Sequence, residues 1–254
     1  MGWGTNMKSG LGRVLAGVCV TAALAATTAC GSGSDGGKSD GKSADKPADK
    51  PAATSSSEAP TALRPLSEAQ LAQAAITKAD VKGFSVGKVP DDEIPDMSVP
   101  ADPAECQAIA DMFLLGSEPD AAARVARSVT SLTETDATVV QMGLLAHQEA
   151  DAKKVLADLR AASEKCDAYE HTDYKYSGIE PRKAPALGDE AVSYAMTGKI
   201  DGETIPMTYV VVRTGSTVAA FYGMNVLDAK QAEVPAEIIE TQIAKLEKVA
   251  GAKQ

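Results

Sequence analysis

The clearest pattern of apolar and polar positions lies late in the chain. The run EAVSYAMTGKI-DG-ETIPMTYVVVR-TGS-TVAAFYGMNV reads as three strands joined by two glycine turns. Val192, Tyr194, Met196 and Ile200 alternate on the first run, and Val218, Ala220, Tyr222 and Met224 on the last. Asp201-Gly202 between the first two is a two-residue hairpin signal. Helical spacing occupies other stretches. LSEAQLAQAAI has a capping-box spacing from Ser67 to Gln70. PAECQAIADMFLL puts Cys106, Ile109, Ala110, Phe113 and Leu114 on one face, with Pro103 in the first turn and Asp102 as N-cap. In EADAKKVLADLRAASEKC, Val155, Leu159, Ala162 and Cys166 form a stripe. PDAAARVARSV reads as a weaker helix. ATVVQMGLLAHQ is a branched, apolar stretch ahead of the long helix. A last helix runs from Pro235 to about Val249, with Ile238, Ile239, Ile243 and Leu246 inward. Short links between the strands imply an antiparallel sheet with helices packed on one face, an α+β domain.

None of this periodicity extends into the first 60 residues. Lys8 and Arg13 precede an uncharged apolar run, Val14 to Ala26, and no acidic residue occurs before Cys30. A positive start, a short apolar core and small residues at the cut site make residues 1–29 a secretory signal peptide. The core is shorter than the roughly 20 residues that span a bilayer. Thr27, Thr28 and Ala29 before Cys30 resemble the lipobox of bacterial lipoproteins, with Thr27 where leucine is usual. That resemblance implies diacylation of Cys30, which becomes the first mature residue, and two acyl chains suffice for stable anchoring. An ordinary cleavage near Ala26 or Ala29, giving a freely secreted protein, is the alternative. Met7, followed by Lys8, is a more natural start than Met1.

Residues 30–60 hold the lipidated cysteine and a tether of Gly, Ser, Asp, Lys, Pro and Ala that contains ADKPADKP and has nothing with which to build a core. Some 30 flexible residues reach roughly 30 Å. GKSDG, Gly37 to Gly41, matches a hydrolase nucleophile pattern but lacks the strand and helix that pattern needs. Residues 61–254 are long enough for one domain with a real core.

Cysteine usage agrees with export. Cys19 leaves with the signal and Cys30 takes lipid, which leaves Cys106 and Cys166 on two different helices, both facing inward. In an oxidising compartment the pair reads as one helix-to-helix disulfide; two buried free thiols are the rival. His147 and His171 lie far apart, and no CxxC or HxxxH spacing occurs, so neither a metal nor a cofactor is expected.

Charge narrows the function classes. The chain carries a net charge of −10, and loss of Lys8 and Arg13 makes the mature form more acidic still. An acidic domain with no basic patch is repelled by nucleic acid. The only tryptophan, Trp3, lies in the signal region. PDDEIPDM supplies Asp91, Asp92, Glu93 and Asp96, but a paired-carboxylate hydrolase needs two of them held across a bond, and the calcium-loop pattern is missing. No catalytic residue is assigned. Tyr174, Tyr176, Tyr194, Tyr209 and Tyr222 are candidates to line a cleft, although strand tyrosines are more often core or surface filler.

Taken in order, ITKADVKGFSVGKV, PAEC, TVVQMGLLAHQEADAKKVLADLRAASEKC, LGDEAVSYAMTGKIDG and VVVRTGSTVAAF resemble the extracytoplasmic sensor domain of the mycobacterial Ser/Thr kinase PknH, across roughly Leu66 to Leu227. Related domains stand behind a lipobox and tether in many actinobacterial lipoproteins. The resemblance implies an antiparallel sheet flanked by helices, a cleft that takes a ligand, and disulfides that hold the helices. This chain departs from it in having one cysteine pair, no mature tryptophan and no kinase domain. The expectation is a monomeric, non-catalytic lipoprotein held to the membrane through Cys30, facing the extracytoplasmic side. It binds an unknown small ligand, or alternatively docks on another envelope protein.

Overall fold

Eight strands in the order β1-β2-β3-β8-β7-β6-β5-β4 form one antiparallel sheet in a computed structural model, which describes residues 64–251 apart from 96–97, 134, 201, 226 and 229–231. The signal, Cys30, the tether, Asp96 and Asp201 lie outside the described residues. In chain order the elements are α1 (Glu68–Ala74), β1 (Phe84–Lys88), α2 (Gln107–Phe113), β2 (Ala123–Ser131), β3 (Thr138–Ala146), α3 (Glu149–Lys165), β4 (Ala168–His171), β5 (Tyr174–Arg182), β6 (Glu190–Ile200), β7 (Glu203–Thr214), β8 (Thr217–Asn225) and α4 (Ala236–Gly251). The chain builds inward from one edge through β1, β2 and β3. It then crosses by α3 to the far edge and builds inward again until β8 pairs with β3. Tight turns close this second meander. Ile200 pairs with Glu203 and Thr214 with Thr217, and Gly202 and Gly215 carry the positive φ that such turns require.

Helices cover both faces. Tyr194, Tyr209, Val211 and Val218 point toward α2 and α3 and share a core with Ile109, Met112, Val155 and Leu159. Val210, Val212, Ala219 and Phe221 point the other way, onto Leu71, Ile238, Ile243 and Leu246 of α1 and α4. Burial on both faces explains why TYVVVR is a continuous apolar run rather than an alternating one. Buried Gln242 joins the two helices of the second layer: its amide nitrogen donates to the Ala74 carbonyl and its oxygen accepts from the Ile76 N–H, each at 2.9 Å. Gly223 lets the segment before α4 cross β8, because a Cβ there would sit 2.4 Å from the Glu233 carbonyl oxygen.

Three expectations are corrected. The fold is mostly one eight-stranded antiparallel sheet with few helices, not the expected α+β domain with helices packed against one face. The disulfide does pair Cys106 with Cys166, but it is not helix-to-helix. Cys106 closes the 3-10 turn Ala104–Cys106 ahead of α2, and Cys166 is the residue after the end of α3. PDAAARVARSV contributes to strand β2 rather than a helix. Its alanines favour a helix, yet pairing with β1 on one side and β3 on the other overrides that local preference.

Candidate functional site: a groove between two helices

α2 and α3 lie side by side on one face of the sheet, and the disulfide fastens the chain at the start of one to the chain at the end of the other. Between them is a groove of about 340 Å³, at the small end of the range for ligand sites. It stays open because several facing positions are alanine: Ala104 and Ala108 on one side, Ala161 and Ala162 on the other. An alanine ends at Cβ and cannot fill the space a leucine would. Met112, Val155 and Leu159 form an apolar floor. The lining also holds Glu105, Glu118, Asp158 and Lys165, with Gln107, Asp111 and Ser117 completing the polar part. Asp158 pairs with Lys154 one turn earlier on α3.

Asp111 is the unusual member. It is 2 % exposed, and its Oδ1 accepts from the Ser98 hydroxyl at 2.6 Å and the Gln107 amide at 2.8 Å. Its buried Oδ2 has no partner among the described residues. His171, also buried, feels the Asp111 carboxylate, but burial outweighs that attraction and holds the ring below its ordinary pKa. The Val99 carbonyl favours the charged ring from nearby, although neither ring nitrogen meets hydrogen-bond geometry. At neutral pH the carboxylate therefore has no imidazolium beside it.

The candidate tyrosines are brought together elsewhere. Tyr194 stacks on Tyr209 at 4.7 Å, Tyr209 on Tyr222 at 5.2 Å, and Phe113 of α2 bridges Tyr222 to Tyr176. Tyr169 of β4, which the sequence did not single out, stacks on Tyr176 at 4.8 Å. This ladder crosses the sheet beneath the helices. Burial pushes the hydroxyls of Tyr176 and Tyr222 up to about 12 and raises those of Tyr169, Tyr194 and Tyr209. None of the ladder tyrosines lines the groove, nor does Tyr174. The tyrosines are chiefly core.

The groove also contains a serine near a histidine. Ser117 Oγ lies 3.5 Å from His147 Nε2, but its proton goes to the Pro119 carbonyl at 2.9 Å. His147 Nδ1 has no carboxylate bonded to it among the described residues, so the pair lacks the oriented base of a nucleophilic site. Asp92 and Glu93 sit exposed in the 3-10 turn Asp91–Glu93, outside the groove. Among the described residues no cluster of three metal-ligating side chains occurs, and no helix is long and apolar enough to cross a membrane. A second hollow of about 360 Å³ lies on the opposite face at the start of α4, where Arg182 and Lys183 share the lining with Glu233.

Sequence reasoning missed the groove. Its signal was available in the alanines of AECQA and ADLRAA, where a helix packed fully against a neighbour would carry larger residues.

No family model matches the chain, and no curated protein matches it. Among solved structures it is similar to the extracellular domain of PknH from Mycobacterium tuberculosis, at 10 % identity and a TM-score of 0.49, over 75 % of this chain and 100 % of that one. It is also similar to an uncharacterized protein from Mycobacterium smegmatis, the Rv0999 ortholog. There the identity is 15 % and the TM-score 0.38, over 72 % of this chain and 95 % of that one.

Proposed function

We propose that this chain is a lipid-anchored, extracytoplasmic, non-catalytic binding domain whose ligand occupies the α2–α3 groove. The observation that carries the reading is the groove itself: an apolar floor left open by alanines, with charged and polar groups around it, on a sheet covered on both faces. Such a combination of apolar lining and a few polar groups is what small-molecule sites share. The Cys106–Cys166 disulfide supports an oxidising compartment, and the apolar run ending at Cys30 supports export and anchoring.

Two measurements test this. Cys30→Ser is expected to move the protein from the membrane fraction to the medium; a variant that stays on the cells refutes anchoring through Cys30. Native mass spectrometry of the processed protein is expected to give an added mass that disappears on denaturation. Ala108→Trp, which fills the groove, should not acquire that mass. A clean apo mass in both proteins, after exposure to envelope extracts, overturns the groove reading and shifts the function to protein docking. The best surface for docking is the end of the sheet that carries Leu132 and Leu227, 60 % and 69 % exposed. Asn225 ties those two connections together by donating to Asp136 at 3.3 Å and Thr138 at 3.2 Å.

A further inference from the structure

Resting on the groove as the ligand site, we propose that its ligand is a cationic amphiphile, an amine or quaternary ammonium group on an apolar body. The lining carries four carboxylates, Glu105, Asp111, Glu118 and Asp158, against one cation, Lys165. Lys154 neutralises Asp158 from outside the lining. Lys154 also attracts Glu118, from beyond ion-pair distance, and Glu105 is in no ion pair among the described residues. An anionic amphiphile would bring its charge against this excess, and a neutral one would satisfy the floor but not the carboxylates.

An acidic rim alone is commonly just solvated surface. Asp111 is what separates this groove from such a rim. Nature rarely buries a carboxylate unless it is paired, and here one oxygen is hydrogen-bonded while the other has no partner among the described residues. A neutral His171 supplies no charge to offset it. A cation held in the groove would supply the missing opposite charge to a buried carboxylate, whose attraction is less screened than that of the exposed rim. The chain's net charge of −10 adds a field that draws cations in from solution. The volume of about 340 Å³ matches roughly ten water-sized groups at about 30 Å³ each, so a short chain fits. The second hollow offers no such bias, because Arg182 and Lys183 there face Glu233, and Arg182 already lies 3.8 Å from Glu180.

The test is a titration of the processed, oxidised protein with three eight-carbon probes, octylammonium, octanol and octanoate, followed by amide chemical shifts in α2 and α3. At 20 mM salt the expected order is octylammonium about tenfold tighter than octanol, the size of one or two part-screened ion pairs, with octanoate weakest. Added salt should shrink that preference. Asp111→Asn, whose carbonyl oxygen can still accept from Ser98 and Gln107, should lose most of the preference while still binding octanol. Glu105→Gln/Glu118→Gln, altered only at the rim, should lose the smaller part. Ala108→Trp should lose all three probes. Binding of octanol or octanoate as tight as that of octylammonium overturns the cationic class and leaves the groove standing. No binding by any probe overturns the groove and the class together. Octylammonium binding that survives Ala108→Trp marks attachment to the acidic surface, and also overturns the proposal.

Discussion

Replacing Cys106 and Cys166 together by alanine is expected to lower the unfolding free energy by about 4 kcal/mol, the chain-entropy value for a cross-link that closes a loop of this size. The two residues are 60 apart in sequence, so the bond removes from the unfolded chain every conformation in which they separate. The loss should be felt first at α2. That helix has only seven residues, too few to be stable from its own hydrogen bonds, and the bond holds its leading turn to the end of α3. Both sulfurs are buried, Cys106 at 0 % and Cys166 at 1 % exposure, so alanines also leave a small void. Urea titration of the oxidised protein and the variant measures the difference. The same variant should lose groove occupancy in native mass spectrometry at urea concentrations too low to unfold the sheet, because one end of the groove has been released. A stability loss below about 1 kcal/mol, with occupancy unchanged, would show that the sheet alone positions the two helices.

The parts legible in the sequence were those whose physics is local. β6, β7 and β8 follow the quoted runs almost residue for residue, since each hairpin carries a glycine at its turn and β-rich residues on either side. α4 was legible because Ile238, Ile239, Ile243 and Leu246 keep helical spacing, and all four are buried. α1 begins at the predicted box, where Gln70 Oε1 accepts from both the Ser67 N–H at 2.8 Å and its hydroxyl at 2.7 Å. β2 was hidden because alanine and arginine favour helix, and only pairing with distant strands decides otherwise. β4 and β5 were hidden by composition. AYEH at the sheet edge exposes half of its residues and YKYSGIEPR beside it exposes most, so they lack the apolar weight that marks a core strand. The sheet's two covered faces were not legible either, because one strand's pattern does not say how many layers lie above it. The groove is an absence of side-chain volume between two helices. The alanines of AECQA and ADLRAA show that each segment is short of volume. Which of them face each other depends on how the helices are placed, which the spacing along either one does not contain.

Acidification below pH 6.5 is expected to destabilise the folded protein well before its carboxylates titrate, through His147 and His171. Both rings are buried, at 1 % and 2 % exposure. Burial lowers both pKa values from an ordinary 6.5. The carboxylates near them, Asp151 and Asp120 for His147 and Asp111 for His171, only partly oppose it. His147 also stands two residues ahead of α3, whose positive end disfavours a cation there. The sign follows from the proton count. Below about 6.5 the unfolded chain takes up protons on both histidines while the folded chain does not, so stability falls as pH falls. The fall ends once the pH passes below the folded values. Each histidine contributes at most about 1.4 kcal/mol per pH unit in that window. Carboxylates act later: Lys245 beside Asp80 pulls its carboxyl to about 2 from 3.8, so its contribution is lost only as the pH drops through that range. Urea midpoints measured from pH 7.5 to 4.5 should therefore decline from about 6.5 downward. His171→Gln should flatten the slope, and His147→Gln should flatten it independently. A slope unchanged in both variants would mean that the rings take up protons in the folded state as readily as in the unfolded one. That result would also weaken the assignment of Asp111 as a carboxylate without a counter-charge, since a protonated His171 would then supply it.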